Sequence, residues 1–158
     1  MTDSSDSITT EVDAIAARAL AGGWHLAVAE SLTGGELAAR LARGKNADEW
    51  FRGGIVAYQP RVKAELLGVD GPPVVTEEAA RQMARAASVM FHAELAVALT
   101  GEAGPVPDEN VPPGTVWIGI SEGGIADALM LDFTGDPDDV VAQSVREALR
   151  VLCNRLDR

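Results

Sequence analysis

A serine hydroxyl at position 31 is the group of this chain whose surroundings most favour chemistry. Ser31 directly follows a short apolar run, residues 24–29, that is typical of a buried strand. Behind it, Thr33 and Glu36 have the spacing of a capping box, which predicts a helix from Thr33. Backbone N–H groups at a helix N-terminus attract a phosphate, a carboxylate or the oxyanion of acyl transfer. Capping and tight-turn roles alone explain the same pattern.

A serine nucleophile needs a nearby base, and Lys63 is the better candidate in this sequence. A lysine serves as a base when burial lowers its pKa toward neutrality. Tyr58 is placed either to orient that lysine or to donate to a substrate. The two histidines suit the task less, because His25 falls in the first predicted strand and His92 near the end of a long helix. A solvated lysine and a packed tyrosine would fit the same positions.

Three polar segments, residues 31–35, 58–63 and 100–105, each come directly after an apolar strand pattern. Ligands gather at the carboxyl ends of strands in layered α/β domains. The three segments therefore meet in one site if their strands are parallel neighbours.

The whole chain, residues 1–158, predicts a single α/β domain of three layers, with helices packed on a mixed β-sheet. Helical patterns cover residues 8–22, 33–43, 60–67, 76–92 and 138–156, and strand patterns cover residues 24–29, 53–58 and 95–99. A hairpin is predicted at residues 115–133, turning at Gly123-Gly124. Residues 1–7 are polar and are expected to be flexible.

Composition narrows the function classes. The formal net charge of -11 argues against a nucleic-acid-binding surface, which requires clustered Lys and Arg. No segment approaches the roughly 20 apolar residues of a membrane span, and the polar N-terminus does not resemble a signal peptide. The lone Cys153 suits a reducing compartment. We therefore expect a cytoplasmic protein that binds a small molecule.

Motifs for common cofactors are missing from the sequence. It contains neither a Walker loop nor a G-x-G-x-x-G fingerprint, so neither ATP nor NAD is indicated. One cysteine and two isolated histidines offer no metal-ligand spacing. The expectation is a protein that uses neither a cofactor nor a metal.

Several motifs resemble those of the CinA C-terminal domain family, the nicotinamide-nucleotide amidohydrolases. The segment AESLTGG at residues 29–35 is similar to the family's AES-x-TGG. Further matching segments follow in the family's order: GGIVAY at 53–58, Lys63, LLGV at 66–69, VTEE at 75–78, TGEAGP at 100–105, GTVWIG at 114–119 and F-x-GD at 133–136. The family's frequent N-terminal partner domain has no counterpart here, so the resemblance is to a stand-alone form.

The resemblance implies metal-independent hydrolysis of the carboxamide of nicotinamide mononucleotide (NMN) to nicotinic acid mononucleotide and ammonia. Ser31 would be the nucleophile, Lys63 its base and Tyr58 a supporting hydrogen-bonding group. The resemblance also implies a set of substrate-binding residues: Glu30, Thr33, Gly34, Gly35, Thr100, Gly101, Ala103 and Gly104. Within that set, the backbone N–H groups of residues 33–35 would receive the oxyanion.

Some positions depart from the family's pattern. Leu32 stands where the family usually has Cys, and Gln59-Pro60 where it has Ser-Asn. Glu102 replaces an apolar residue, while Pro137 and Val141 occupy positions where the family has arginines. If those arginines bind the nucleotide phosphate, losing one such contact costs on the order of 1.5–3 kcal/mol.

Three hypotheses follow. The first is an NMN amidohydrolase, favoured by the intact set of Ser31, Tyr58 and Lys63. The second is an amidohydrolase of the same fold acting on a less anionic amide, favoured by Glu102 and the missing arginines. The third is a non-catalytic binding or regulatory relative, acting through a homo-oligomer, which a solvent-exposed Lys63 would favour.

Overall fold

A five-stranded sheet covered by helices on both faces forms the core of this protein in the computed structural model, which describes residues 4–158. The helices are α1 (Ser4–Gly22), α2 (Glu36–Leu41), α3 (Ala47–Trp50), α4 (Pro60–Leu67), α5 (Glu77–Phe91) and α6 (Pro137–Leu156). The strands are β1 (Leu26–Glu30), β2 (Phe51–Val56), β3 (Leu95–Gly101), β4 (Thr115–Glu122) and β5 (Ile125–Asp132). The predicted α/β fold with three layers is confirmed.

The sheet is mixed, with the strand order β2-β1-β3-β4-β5. Strand β1 pairs in parallel with both β2 and β3, whereas β4 runs antiparallel to β3 and β5 to β4. The three parallel strands are therefore neighbours, and their carboxyl ends meet at one edge. This confirms the assumption on which convergence of the three polar segments depends.

The two faces of the sheet differ in side-chain size. Large aliphatic residues of β1, β3 and β4, such as Val28, Val97 and Ile118, pack against α1 and α6. On the opposite face, the small residues Ala29 and Ala98 let α5 approach closely. At Gly119 of β4, an added Cβ would lie 1.9 Å from the backbone oxygen of Ala80 in α5. Small residues on this face thus determine the position of α5, and α4 packs beside it.

Local sequence signals predicted most helix boundaries. Helix α4 ends at Gly68 in the left-handed conformation, and Thr76 caps α5 by accepting a hydrogen bond from the Ala79 N–H. Asp136 and Asp139 form a capping box at the start of α6. The short helix α3 was not predicted, and β2 lies at residues 51–56 rather than 53–58.

The expected flexibility of the N-terminal residues falls partly outside the described part of the chain. Of residues 1–7, which were expected to be flexible, residues 1–3 lie outside the described part of the chain, and Ser4 begins α1. From residue 4 to the C-terminus, none of the helices has the length and apolar character needed to cross a membrane.

Candidate active site

A cavity of about 270 Å³ lies at the carboxyl edge of the parallel strands. Its walls come from the segments that follow β1, β2 and β3, together with residues 74–75 and the loop after Gly104. Ser31, Tyr58, Lys63 and Thr100 all line it. The structure thus brings the three polar segments into one site.

Ser31 sits at the junction between β1 and the turn that leads to α2. Its N–H donates to the Leu99 carbonyl of β3 at 3.0 Å, and its own carbonyl accepts from the Gly34 N–H at 3.0 Å. The residue is only 7% exposed. Its hydroxyl makes no hydrogen bond to any described residue, although it borders the cavity. The backbone is therefore fixed while the hydroxyl is left available.

Lys63 is a buried amine in the same cavity. It is 2% exposed, and its Nζ donates to the backbone carbonyl of Tyr58 at 2.8 Å. Burial lowers the pKa of Lys63, and the negative charge of Glu109 opposes that shift in part. Pro60 at the start of α4 and the β2–α4 connection place this lysine on the helix face that turns inward. A lysine with a depressed pKa is suited to act as a base.

Tyr58 contributes through its backbone rather than its ring. The side chain is 67% exposed, and its phenol has no hydrogen-bond partner among residues 4–158. Its carbonyl, by contrast, holds the Lys63 ammonium. Of the two predicted roles, orienting the lysine is the one that a contact in the structure supports.

Glu30 does not line the cavity, so its position does not support the expected contact with a substrate, which stays a prediction. It is fully buried at the end of β1, where its carboxylate accepts hydrogen bonds from the Thr33 hydroxyl at 2.7 Å and from the N–H groups of Leu37 and Ala38 at 2.9 and 3.0 Å. A carboxylate is stabilised at this position by the unpaired N–H groups and the dipole of α2. From the end of β1, Glu30 therefore satisfies the first N–H groups of α2 in place of an N-cap side chain.

The predicted capping box of Thr33 and Glu36 is wrong. Helix α2 begins at Glu36, its N-cap is Gly35, and no N-cap side chain accepts a hydrogen bond. Glu36 instead pairs with Arg40 at 3.3 Å. Glu30 accepts the Leu37 and Ala38 N–H groups, and the Glu36 N–H donates to the Thr33 carbonyl. A capping box would therefore find no free N–H at this end of α2.

The backbone donors around Ser31 also differ from the expected set. The Gly34 N–H is already bonded to the Ser31 carbonyl, and Thr33, Gly34 and Gly35 do not line the cavity. Their predicted contact with substrate is therefore not supported by their positions. Leu32 does line the cavity, and its N–H is without an acceptor in the part of the chain that is described. Leu32 is thus the residue next to Ser31 that can offer an N–H to a ligand in the cavity.

The other predicted binding segment does border the cavity. Thr100, Gly101, Ala103 and Gly104 all line it. The Thr100 hydroxyl, however, donates its one hydrogen to the Val74 carbonyl at 2.7 Å, so it can only accept a hydrogen bond from a ligand. These residues shape the cavity, and contact with a substrate stays a prediction for them.

Two glutamates fix the loop that closes the cavity. Glu102 accepts hydrogen bonds from the N–H groups of Gly104 at 2.8 Å and Asp108 at 3.1 Å. Glu109 reaches across to the N–H groups of Val74 and Val75, at 2.9 and 3.1 Å. The sequence carried no signal for Glu109, because its partners lie 34 and 35 residues earlier in the chain.

Negative charge predominates in the lining. Among the described residues that border the cavity, the carboxylates are Glu102, Asp108 and Glu109, and the only cationic side chain is Lys63. Pro137, one of the positions that depart from the family's pattern, begins α6 and does not line the cavity. Across residues 4–158, no group of three or more His, Cys, Asp or Glu side chains is arranged to hold a metal ion.

Comparisons with known proteins agree with this architecture. The model of the CinA C-terminal domain matches residues 9–156. The protein YdeJ of Escherichia coli K12 is 32% identical over 157 residues, which cover 96% of this chain and 91% of that protein. A CinA-like protein of Mycobacterium avium is 40% identical over 154 residues, which cover 94% of this chain. The match spans 32% of the mycobacterial protein, so this chain corresponds to about a third of its length.

Solved structures give the same assignment. A CinA superfamily protein from Klebsiella pneumoniae superimposes with a TM-score of 0.89 at 32% identity, covering 95% of this chain and 98% of that one. A CinA superfamily protein from Escherichia coli gives a TM-score of 0.89 at 30% identity, covering 98% and 94%. The family match, the sequence relatives and the shared fold lead to one conclusion: this chain belongs to the CinA C-terminal domain family.

Proposed function

We propose that this protein is an amidohydrolase in which Ser31 attacks a carboxamide carbon and Lys63 is the base. One observation carries the proposal: a serine hydroxyl without a partner and a buried lysine with a lowered pKa line the same cavity. Membership in a family associated with amidohydrolase function supports it further. Neither group would need such surroundings for packing alone.

The proposed reaction proceeds in two steps. Neutral Lys63 takes the proton of Ser31 as the Ser31 oxygen bonds to the carboxamide carbon, and the same proton then goes to the departing nitrogen, which leaves as ammonia. Water, giving up a proton to Lys63, next attacks the acyl ester and releases the carboxylic acid, and the proton returns to Ser31. The Leu32 N–H is suited to stabilise the oxyanion in both steps.

The surroundings of Lys63 fit this cycle. The Tyr58 carbonyl accepts one hydrogen from Nζ, which fixes the amine without neutralising it. Burial favours the neutral amine and lowers the pKa of Lys63, whereas the negative charge of Glu109 raises that pKa and offsets part of the shift. A non-catalytic relative is less well supported, because a solvent-exposed Lys63 would favour that hypothesis and the residue is 2% exposed.

NMN is the first substrate to test, because the motifs of this chain resemble those of nicotinamide-nucleotide amidohydrolases. Purified protein is expected to release ammonia from NMN, and Ser31→Ala and Lys63→Ala are each expected to lower the rate by on the order of 10³ or more. Circular dichroism would show that both variants remain folded. Near-wild-type turnover in either folded variant would rule out the assigned pair.

A further inference from the structure

The charge of the cavity bears on which carboxamide the site accepts. Glu102, Asp108 and Glu109 all come from one loop and line the cavity together with the proposed base. Lys63 must be neutral when it takes a proton from Ser31. In that working form, the described side chains that line the cavity carry three negative charges and no positive charge.

The three carboxylates are held in place by the backbone. Glu102 and Glu109 each accept two N–H groups, and Asp108 accepts the N–H of Glu109 at 2.9 Å. These contacts stabilise the observed orientation of the carboxylates beside the cavity. A ligand in the cavity therefore meets the negative potential of all three groups.

A second feature shows that a ligand belongs here. Ser31 is 7% exposed as a residue, and its hydroxyl borders the cavity and has no partner among the described residues. The cavity volume of about 270 Å³ is also below the roughly 300–1,000 Å³ of sites for drug-sized ligands. A small ligand fits that volume.

Like charges repel and opposite charges attract more strongly in a partly buried cleft than in water. A phosphate brought beside this loop would face three carboxylates, with no arginine among the described lining residues to offset them. A positive charge on the ligand would be attracted by the same groups. Resting on the amidohydrolase function proposed above, we propose that this site selects a small carboxamide that carries positive charge and no phosphate.

Two matched pairs of probes separate these charges. Nicotinamide riboside and NMN share the cationic ring and the carboxamide and differ only in the phosphate. 1-Methylnicotinamide and 3-methylbenzamide have the same shape, but only the first is cationic. Dissociation constants measured by calorimetry with Ser31→Ala report binding without turnover. We expect nicotinamide riboside to bind about tenfold more tightly than NMN, and 1-methylnicotinamide several-fold more tightly than 3-methylbenzamide.

Asp108→Asn tests whether the loop causes the preference. Asparagine keeps the side-chain oxygen that accepts the Glu109 N–H, so the loop conformation is retained while one charge is lost. Both ratios should shrink by about threefold, because Asp108 is exposed and its field is partly screened. The control is Asp48→Asn, the same change at an exposed position of α3, the helix that directly precedes β2. It should leave both ratios unchanged.

The results distinguish this inference from the proposed function. Equal or tighter binding of NMN, or no preference for the cationic isostere, would overturn the selectivity. Equal effects of Asp108→Asn and Asp48→Asn would do the same. Failure of wild-type protein to release ammonia from any of the four amides would instead overturn the amidohydrolase function, while the binding ratios would still decide the charge preference.

Discussion

The two ends of the sheet carry cavities of very different kinds. At the amino end of the parallel strands, a cavity of about 920 Å³ is lined by Trp24, Glu94, Ile125 and Arg155 among others. At the carboxyl end, the cavity with Ser31 is less than a third of that volume. The larger cavity is therefore not the one that contains Ser31 and Lys63.

The state of the polar groups separates the two cavities. At the amino end, Arg155 pairs with Glu122 at 2.9 Å, and Glu94 accepts hydrogen bonds from the backbone and the ring of His25. These charged groups already have partners. At the carboxyl end, the Ser31 hydroxyl has no hydrogen-bond partner in the described structure, and burial lowers the pKa of Lys63. An unpartnered hydroxyl that borders a cavity together with a buried lysine, rather than the volume of the cavity, therefore distinguishes the candidate active site.

The largest effect that sharpens this contrast is the pH dependence of turnover. If Lys63 must be neutral, kcat/KM should rise about tenfold per pH unit at low pH and reach a plateau at high pH. The midpoint between the two regions, which reports the pKa of Lys63, should lie below the ordinary lysine pKa. Because the charge of Glu109 raises the pKa of Lys63, Glu109→Gln should move that midpoint to lower pH. Rate profiles from pH 5 upward, in steps of about half a unit, would show both effects.

A matched change at the amino end provides the control for that profile. Glu94→Gln also replaces a carboxylate by an amide, but it lies in the larger cavity. Its midpoint should coincide with that of the wild-type protein. An unchanged midpoint in Glu109→Gln, or a shift to higher pH, would contradict the role given to the Lys63 environment.

A smaller but clear effect is expected from the Glu30 cap at the carboxyl end. The Glu30 carboxylate is fully buried and accepts three hydrogen bonds. In Glu30→Gln it becomes an amide, which has only one accepting oxygen. Leaving a buried donor unsatisfied costs about 1–3 kcal/mol, so the free energy of unfolding should fall by that amount. Urea denaturation measures it, and a loss below about 0.5 kcal/mol would argue against the cap.

That cap also shows where prediction from sequence ends. Thr76 and Asp136 act on N–H groups three residues ahead, so their capping contacts are local, and the helices predicted at residues 76–92 and 138–156 begin within one residue of the observed starts. Glu30 reaches seven and eight residues ahead, from a strand into a helix. No pattern within one element contains that contact, so Thr33 and Glu36 received the role instead.

In the candidate site, too, features visible within one element were predicted and contacts between distant segments were not. The convergence of Ser31 and Lys63 could be predicted because apolar strands and the polar segments after them are visible in the sequence. The course of residues 105–113 could not, since it depends on Glu102 and Glu109 bonding to distant or irregular backbone. As a result, the acidic lining was foreseen only at Glu102.

The smallest effect is expected at the amino end. Arg155 is 21% exposed in its side chain and pairs with Glu122, which is 26% exposed. Such a partly exposed pair contributes about 0–1 kcal/mol, so Arg155→Ala should lower the free energy of unfolding by no more than that. Because the pair lies at the far end of the strands from Ser31, kcat/KM should stay within about twofold of the wild-type value. A tenfold loss of kcat/KM in folded Arg155→Ala protein would mean that the larger cavity takes part in the reaction after all, and that the paired state of its charges is no guide to function.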